Sequence, residues 1–424
     1  MSHQYTAPRS ALIVGAGMAG LATAWYLQEA GVEVTVVDRK GVAAGASWGN
    51  AGWLTPSLTV PLAEPSALRL GLRTMFSPSS PLYIPPRADA RLAQFLLALT
   101  RRCTHRQWQV AMAALSVLNR GALAAYDELA EGGVAEPTRA SDPCLLAFTD
   151  EAARRPMVEE LEAVRAAGQD VAYELLTGEQ AACLEPTLRP DRIAAAVRLH
   201  GQRYLNPVAY TTSLADAVRE RGGKIVADLE AVTVRDLGGG PGGGVAVRGA
   251  EGQELRADAA VLANGAWLGR LAAPFGVRTR VQSGRGYSFT MPAAGLPTTP
   301  TYFAAQRVVC TPLDAERVRV AGMMEFTAPD RPADPRRVQA VIEAVRPLLP
   351  DADFGRRTEE WAGPRPCTAD GLPLIGRTVS PRVHVCGGHG MWGIALGPLS
   401  GKLLADGMVS GRYAPELAAL HPLR

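Results

Sequence analysis

A glycine-rich turn near the start of the chain is the feature that most restricts its fold. Residues 10–14, Ser-Ala-Leu-Ile-Val, predict a short buried strand, and the sequence Gly-Ala-Gly-Met-Ala-Gly follows directly at 15–20. A helical stretch over Leu21–Ala30 then leads to a second apolar run at Val34–Val37, which ends at Asp38. Two strands joined by a helix within roughly 30 residues form a βαβ unit, which predicts a parallel sheet and an α/β fold.

The three glycines are spaced as a dinucleotide-binding loop requires. Gly15 permits a tight turn, Gly17 lets the backbone approach a pyrophosphate at the helix start, and Gly20 lets helix and strand pack closely. Asp38 lies 23 positions beyond Gly15, where a carboxylate accepts hydrogen bonds from ribose hydroxyls. The sequence therefore predicts a dinucleotide site, although the motif leaves open whether the cofactor is NAD or FAD.

Composition bounds the remaining choices. The 424 residues are 47% hydrophobic and 20% charged, which predicts a globular chain of two or three domains. Lys and Arg number 44 against 41 Asp and Glu, and this balance, without a long basic run, argues against nucleic acid as a partner. The six cysteines form no C-x-x-C pair, so we expect a reduced cytoplasmic protein with no metal site. No apolar stretch reaches the roughly 18 residues of a transmembrane helix.

The rest of the chain predicts a second domain inserted into the first. The other predicted elements are helices at 91–129, 151–167, 205–221 and 336–348, strands at 144–148, 258–263 and 383–386, a strand pair at 224–235 and 244–248, several strands over 281–327, and a last helix that ends near Leu404. This order predicts a Rossmann-type dinucleotide domain with a parallel sheet, beside an α+β substrate domain with a mostly antiparallel sheet. We assign residues 1–90, 204–275 and 360–424 to the first domain, and residues 91–203 and 276–359 to the second.

Four further segments have a recognisable pattern. They are Ala46-Ser-Trp-Gly-Asn-Ala-Gly52, Ala259-Ala-Val-Leu-Ala-Asn-Gly-Ala-Trp267, Gly284-Arg-Gly-Tyr-Ser-Phe289, and a C-terminal block that joins Trp361–Arg377 to Gly387–Gly393. Together they resemble the FAD-dependent D-amino-acid oxidoreductase family, which includes glycine and sarcosine oxidases, with bacterial D-amino acid dehydrogenases as the most similar group. The C-terminal block is the most specific part, and Trp392 departs from it, since relatives usually have a smaller aliphatic residue there.

The resemblance implies FAD as the cofactor and oxidation of a carbon–nitrogen bond as the reaction. A hydride leaves the substrate Cα for flavin N5, and the resulting imino acid hydrolyses to a 2-oxo acid and ammonia. The FAD contacts that we expect are Gly15, Gly17, Met18, Ala19, Gly20, Asp38, Arg39, Ser47, Asn50, Ala51, Gly52, Val232, Asn264, Gly265, Trp267, Gly388, Gly390, Met391, Trp392, Gly393 and Ile394. We expect non-covalent FAD, because Cys367 does not match the position at which some relatives tether their flavin.

Three side chains are candidates for contact with the substrate. The resemblance places Arg365 at the substrate carboxylate, which a planar guanidinium binds through two hydrogen bonds; an inter-domain salt bridge is the alternative. Tyr287 either hydrogen-bonds the substrate or is a half-buried strand tyrosine. His389 is a candidate base, but the Gly-His-Gly turn equally fits a role in which backbone N–H groups face the flavin.

Several functions remain open at this stage. A D-amino acid dehydrogenase would pass electrons to a quinone, whereas an oxidase of glycine-, sarcosine- or proline-like amines would use O₂. A nicotinamide-dependent reductase would leave the C-terminal block unexplained, and a non-catalytic flavin-binding module is the fourth possibility. A quinone acceptor would require peripheral membrane contact, for which the stretch 68–102 is a candidate, although an amphipathic helix there equally fits packing on its own domain.

Overall fold

The computed structural model describes residues 6–64, 75–240 and 242–424. The helices are α1 Met18–Glu29, α2 Ala90–Arg102, α3 His105–Glu131, α4 Glu151–Ala166, α5 Gly178–Leu184, α6 Pro207–Glu220, α7 Leu268–Ala272, α8 Pro335–Val345 and α9 Gly393–Ser410. The first strands are β1 Ser10–Val14, β2 Glu33–Val37, β3 Trp53–Leu54, β4 Leu82–Tyr83, β5 Arg139–Ser141, β6 Cys144–Phe148, β7 Tyr173–Thr177, β8 Ala195–Leu199, β9 Gln202–Tyr204 and β10 Lys224–Val226. The remaining strands are β11 Ala231–Gly238, β12 Gly244–Gly249, β13 Glu254–Ala257, β14 Ala259–Leu262, β15 Val281–Pro292, β16 Thr301–Phe303, β17 Val308–Pro312, β18 Arg317–Phe326, β19 Thr358–Thr368, β20 Leu374–Arg377 and β21 Val383–Gly387.

A six-stranded sheet in the order β10-β2-β1-β14-β21-β20 forms the first layer. All its pairings are parallel except β20 with β21. Alternate residues of β1 enter opposite cores: Ala11 and Ile13 pack among the helices α1, α6 and α9, while Leu12 and Val14 pack towards β12 and α7. A sheet that is covered on both faces explains why its strands are continuous apolar runs rather than alternating ones.

Helix α1 approaches the sheet closely because Gly20 in its first turn has no side chain. A Cβ atom on Gly20 would lie 2.0 Å from the carbonyl oxygen of Gly15. On its other side α1 packs on α9, where a Cβ on Gly401 would lie 2.7 Å from the backbone nitrogen of Thr23. Helix α3 joins this core, and the Tyr126 hydroxyl donates to the carbonyl oxygen of Ile394 at 2.6 Å.

A nine-stranded, mostly antiparallel sheet forms the second layer, in the order β19-β15-β18-β17-β16-β6-β8-β7, with β4 beside β18. Helix α8 packs on the face of β15 and β18 that contributes Phe289 and Val320 to a separate core. The long pairing of β15 with β19 places Gly284 opposite Arg365 and Gly286 opposite Gly363. The predicted fold class, a Rossmann-type parallel sheet with a second α+β unit, is therefore confirmed.

Three element predictions need correction. The helical region predicted at 91–129 is two helices, separated at Cys103 and Thr104, where the Thr104 side chain caps α3. The strand predicted at 224–235 is also two: β10 pairs with β2 in the parallel sheet, whereas β11 pairs with β12. The last helix continues to Ser410 because Gly411, with φ of 72°, ends it six residues after Leu404.

The domain boundaries stay a prediction. Two elements pair or pack with the unit other than the one to which we assigned them. Strand β4, which falls inside 1–90, pairs with β18 of the antiparallel sheet. Helix α3, which falls inside 91–203, packs on the parallel-sheet helices. The proposed membrane-contact stretch lies partly outside the described residues, since 68–74 are not described. Among the described residues, no helix is both long and apolar enough to cross a bilayer.

We predict that Gly20→Ala lowers the free energy of unfolding by about 1–3 kcal/mol, the usual cost of forcing an extra methyl group into a filled space. The added Cβ would meet the Gly15 carbonyl oxygen, a backbone atom that has no rotamer to change. Urea unfolding followed by circular dichroism measures the effect. Gly269→Ala is the matched control, because nothing lies within 4 Å of its added Cβ and it also occupies a helix. Equal stability of the two variants would contradict the packing account.

Candidate cofactor and active site

A deep cavity of about 1240 Å³, part of it open to solvent, begins where β1, β2 and β14 end. Its walls come from both sheets, since Arg365 of β19 faces the same space as the glycine loop. The predicted cofactor contacts that line it are Gly15, Gly17, Met18, Ala19, Asp38, Arg39, Ser47, Asn50, Asn264, Gly265, Trp267, Gly390, Met391, Gly393 and Ile394. The carboxyl ends of parallel strands are the usual place for a ligand in such sheets.

Six predicted contacts do not line this cavity. They are Gly20, Ala51, Gly52, Val232, Gly388 and Trp392. Gly20 supports the wall from behind through its contact with Gly15, and Ala231 lies at the wall instead of its neighbour Val232. Trp392 caps α9, and its indole nitrogen donates to the carbonyl oxygen of Val60 at 2.8 Å.

The glycine loop presents backbone rather than side chains to the cavity. Gly15 has a φ of 117°, and a Cβ there would lie 2.5 Å from the carbonyl oxygen of Ala263. Gly17 caps α1 without a side-chain hydrogen bond. The Met18 N–H donates to the Ser47 hydroxyl at 3.2 Å, so the loop after β2 is tied to the helix start. A helix N-terminus at the end of a glycine turn is suited to a pyrophosphate.

Asp38 connects this loop to the end of β2. Its Oδ2 accepts a hydrogen bond from the Ala16 N–H at 3.0 Å, and its Oδ1 accepts from Lys40 and Gly41 at 2.9 and 3.0 Å. An ionised carboxylate has about four acceptor positions, so one is left for a ribose hydroxyl.

The cavity also contains an unused polar atom. The Oδ1 of Asn264 is buried and accepts no hydrogen bond from any described residue, although Asn264 lines the space beside Gly265. A buried amide oxygen without a partner is costly, and a bound molecule with a hydroxyl or N–H group removes that cost. The backbone loop, the Asp38 carboxylate and this orphaned oxygen fit a dinucleotide.

Arg365 lines the same cavity as Asp38 but comes from the antiparallel sheet. Its Nη1 donates to the carbonyl oxygen of Met323 at 2.9 Å, and the guanidinium packs over Gly286, where a Cβ would lie 2.2 Å from Nη2. A bulge in β18 places the extra residue Met323 here with a φ of 59°. No described carboxylate forms a salt bridge with Arg365, and burial lowers the pKa of its guanidinium. The charge is therefore available to a bound anion.

His389 lines the cavity next to Arg365. Its Nε2 lies 3.0 Å from the Ser400 hydroxyl, which itself lies 2.8 Å from the carbonyl oxygen of Leu396. The serine has one proton and the carbonyl can only accept, so the network assigns the proton of the imidazole to Nε2. Burial lowers the pKa of His389 to about 4, so the ring is neutral at pH 7.

Tyr287 and Cys367 lie away from the cavity wall. The Tyr287 ring is 1% exposed, and its hydroxyl donates to the Glu325 carboxylate, so the structure favours the buried-strand interpretation of this residue. Burial raises the pKa of the Cys367 thiol to about 12, and its sulfur packs near Gly284. A thiol that stays protonated and buried is a poor candidate for a covalent flavin link.

Sequence reasoning missed several wall residues. The segment Leu229–Ala231 forms part of the wall, as do Lys40, Arg270 and the prolines on both sides of Arg365. No motif marks Leu229–Ala231, which approaches the cavity because the Leu229 N–H donates to the carbonyl oxygen of Asp38 at 3.0 Å.

We predict that His389 makes the protein acid-sensitive between pH 6.5 and pH 4. Its folded-state pKa of about 4 lies below its ordinary value, so its neutral form favours the fold above pH 6.5, and that contribution is lost as the pH falls towards 4. The loss is on the order of 3 kcal/mol over that interval. His389→Gln should reduce the loss over this interval by that amount, measured by urea unfolding at several pH values, while the buried His384, whose pKa burial lowers to about 3, keeps its own contribution. Parallel losses in both proteins would contradict the assignment.

The comparisons with known proteins agree with this geometry. Residues 10–407 match the family described as FAD dependent oxidoreductase. A D-amino acid dehydrogenase of Cereibacter sphaeroides is 34% identical over 96% of this chain and 92% of its own, and one of Xylella fastidiosa is 34% identical over 93% and 91%. Among solved structures, glycine oxidase from Geobacillus kaustophilus gives a TM-score of 0.73 at 22% identity, covering 99% of both chains.

A second solved structure has the same fold. Iminodiacetate oxidase from Chelativorans gives a TM-score of 0.70 at 21% identity, covering 97% of this chain and 98% of its own. The family match spans most of the chain, and its start at residue 10 coincides with β1, the strand that leads into the glycine loop. The dinucleotide that fits this loop is therefore FAD, and the chain, which is similar to D-amino acid dehydrogenases, belongs to the FAD-dependent oxidoreductase family.

Proposed function

We propose that this enzyme oxidatively deaminates a D-amino acid, with hydrolysis of the imino acid to a 2-oxo acid and ammonia. The identity of 34% to D-amino acid dehydrogenases over most of the chain supports this substrate class. Bound FAD supplies the hydride acceptor, which no side chain offers. The protein has to hold the cofactor and to orient the amino acid, so that its Cα–H bond meets the flavin.

The cofactor is proposed to extend from Asp38 to the Gly-His-Gly turn. The N–H groups at the start of α1 would hold the pyrophosphate, and the free acceptor position of Asp38 would bind the adenosine ribose. Asn264 would satisfy its Oδ1 on the bound molecule. At the other end, Gly390 is fixed by its N–H, which donates to the carbonyl oxygen of Pro366 at 2.8 Å. This bond keeps the turn beside the strand of Arg365.

Arg365 is the proposed ligand of the substrate carboxylate, and its unpaired charge is the observation on which the proposal depends. A partly buried guanidinium whose one hydrogen-bond partner among the described residues is the carbonyl oxygen of Met323 retains four N–H donors for an anion. A carboxylate matches two of these donors at once, which fixes the orientation of the amino acid as well as its affinity. His389 adds no second positive charge because its imidazole is neutral above pH 4.

The substrate class is tested by flavin bleaching under anaerobic conditions. D-amino acids should reduce the bound flavin, whereas their L-enantiomers should not. Reduction by glycine, sarcosine or proline-like amines alone would replace the proposal with secondary-amine oxidation. The electron acceptor is identified by the second half-reaction, in which the reduced flavin is reoxidised. Reoxidation by a quinone, with no peroxide formed in air, supports a dehydrogenase. Rapid formation of peroxide identifies an oxidase.

We predict that Arg365→Ala lowers kcat/KM on the order of 10²- to 10³-fold, the usual cost of removing one partner of a buried charge pair. Flavin should remain bound, because Arg365 anchors the substrate rather than the dinucleotide. Arg365→Lys should recover only part of the activity, since an ammonium group lacks the planar fork. Arg256→Ala is the control, because the one ion-pair partner of this exposed residue within the described ranges is Glu254 on β13. Full activity of Arg365→Ala would refute the role.

We predict that Asp38→Asn weakens FAD binding about tenfold, because the amide NH₂ would face the Ala16 N–H and the charged acceptor would be lost. Titration of the apoprotein with FAD, followed by quenching of flavin fluorescence, gives the dissociation constant. Asp258→Asn is the matched control: that carboxylate accepts from the N–H groups of Arg9 and Ser10 at the opposite end of the sheet. Equal weakening by both variants would show a general effect on the sheet instead.

A further inference from the structure

A short loop of the antiparallel unit, residues 328–332 between β18 and α8, is held by a single buried arginine. Arg285 is 2% exposed, and its guanidinium donates to the carbonyl oxygens of four loop residues. The distances are 3.3 Å to Ala328, 3.1 Å to Pro329, 2.5 Å to Arg331 and 2.8 Å to Pro332. The only loop residue between 328 and 332 whose carbonyl does not accept from Arg285 in the described contacts is Asp330. These hydrogen bonds from Arg285 fix the backbone of the loop and leave the side chain of Asp330 free to contact other parts of the protein.

The side chain of Asp330 reaches the other unit. Its carboxylate accepts from Arg39 Nη1 at 3.0 Å and from the indole nitrogen of Trp267 at 2.9 and 3.1 Å. The Arg39 guanidinium in turn lies 3.6 Å from the centre of the Trp267 ring. The three groups therefore satisfy each other by an ion pair, an indole hydrogen bond and a cation–π contact.

Arg39 and Trp267 stand on two separate loops of the parallel sheet. Arg39 follows β2, next to the Asp38 carboxylate, and Trp267 follows β14; both line the cavity. Asp330 thus joins two walls of the cavity from outside, at the end where the glycine loop lies.

We propose that loop 328–332 is a clasp over the part of the cavity beside Asp38, where the adenosine ribose of FAD would bind. Asp330 is then a positioning residue that slows the release of FAD. It acts through Arg39 and Trp267, because opening that end requires these two loops to separate and Asp330 holds them together. Arg285 belongs to the same device, since it keeps the loop in reach. Asp330, Arg39 and Trp267 make no described hydrogen bond with Arg365, so the clasp affects retention of the cofactor and not turnover.

The charges of the clasp make its effect dependent on salt. The Asp330 side chain is 62% exposed and that of Arg39 is 30% exposed, so solvent ions screen the pair. The rate of FAD release should therefore rise with ionic strength in the natural protein. A variant without the carboxylate charge should release FAD quickly at any salt concentration.

Asp330→Asn in the holoenzyme tests the proposal. Free FAD fluoresces more strongly than bound FAD, so its appearance after dilution gives the release rate. We expect that rate to increase about threefold to tenfold and to lose most of its dependence on salt, while kcat at saturating FAD is unchanged. Trp267→Phe, which keeps the ring but removes the indole donor, should give a smaller increase.

Asp334→Asn is the matched control, since this acidic residue four positions later pairs with Arg336 and makes no contact with Arg39 or Trp267. It should leave the release rate and its salt dependence as they are. An unchanged release rate in Asp330→Asn would overturn the clasp. The same acceleration in both variants would also overturn it, because the effect would then come from a general loosening of the loop.

Discussion

The close backbone contact between the glycine turn and the end of β14 is the constraint on which the other features of the site depend. Gly15 has no room for a side chain against Ala263, and Gly20 has none against Gly15, so α1 begins directly at the sheet. That contact aligns the start of α1, Asp38 and Asn264 around one space. Since each of the three comes from a different segment of the chain, the cavity exists only when the parallel sheet is assembled.

The part of the site around Arg365 likewise depends on a glycine that leaves space for a close contact, here in the antiparallel sheet. Strands β15 and β19 pair over a long stretch. Gly286 of β15 has no side chain and so leaves room for the guanidinium of Arg365, which comes from β19. The bulge at Met323 supplies the carbonyl oxygen that orients this guanidinium. The two sheets therefore line one cavity together: the parallel sheet contributes a backbone cradle for the cofactor, and the antiparallel sheet contributes a guanidinium that has no described carboxylate partner.

Local patterns in the sequence predicted the elements that are themselves local. The turn at 15–20 and the strand at 10–14 could be placed because glycine spacing and apolar runs act over a few residues, whereas Arg365 was singled out through the family resemblance. The edge strand β10 could not be separated from β11, since β10 has only three residues and its partner β2 lies far away in sequence. The link of Asp330 to Arg39 spans 291 positions, and the buried state of Tyr287 depends on Glu325 across a sheet, so neither has a local signal.

The central claim is that Arg365 recognises the carboxylate of the amino acid while the flavin accepts the hydride. The most direct test compares a D-amino acid with the amine of the same side chain that lacks the carboxylate, in the natural protein and in Arg365→Ala. The account predicts that the natural protein prefers the amino acid on the order of 10²-fold or more in the rate constant of flavin reduction per molar substrate, and that the variant loses most of this preference. A preference that is equally large in both proteins would contradict it.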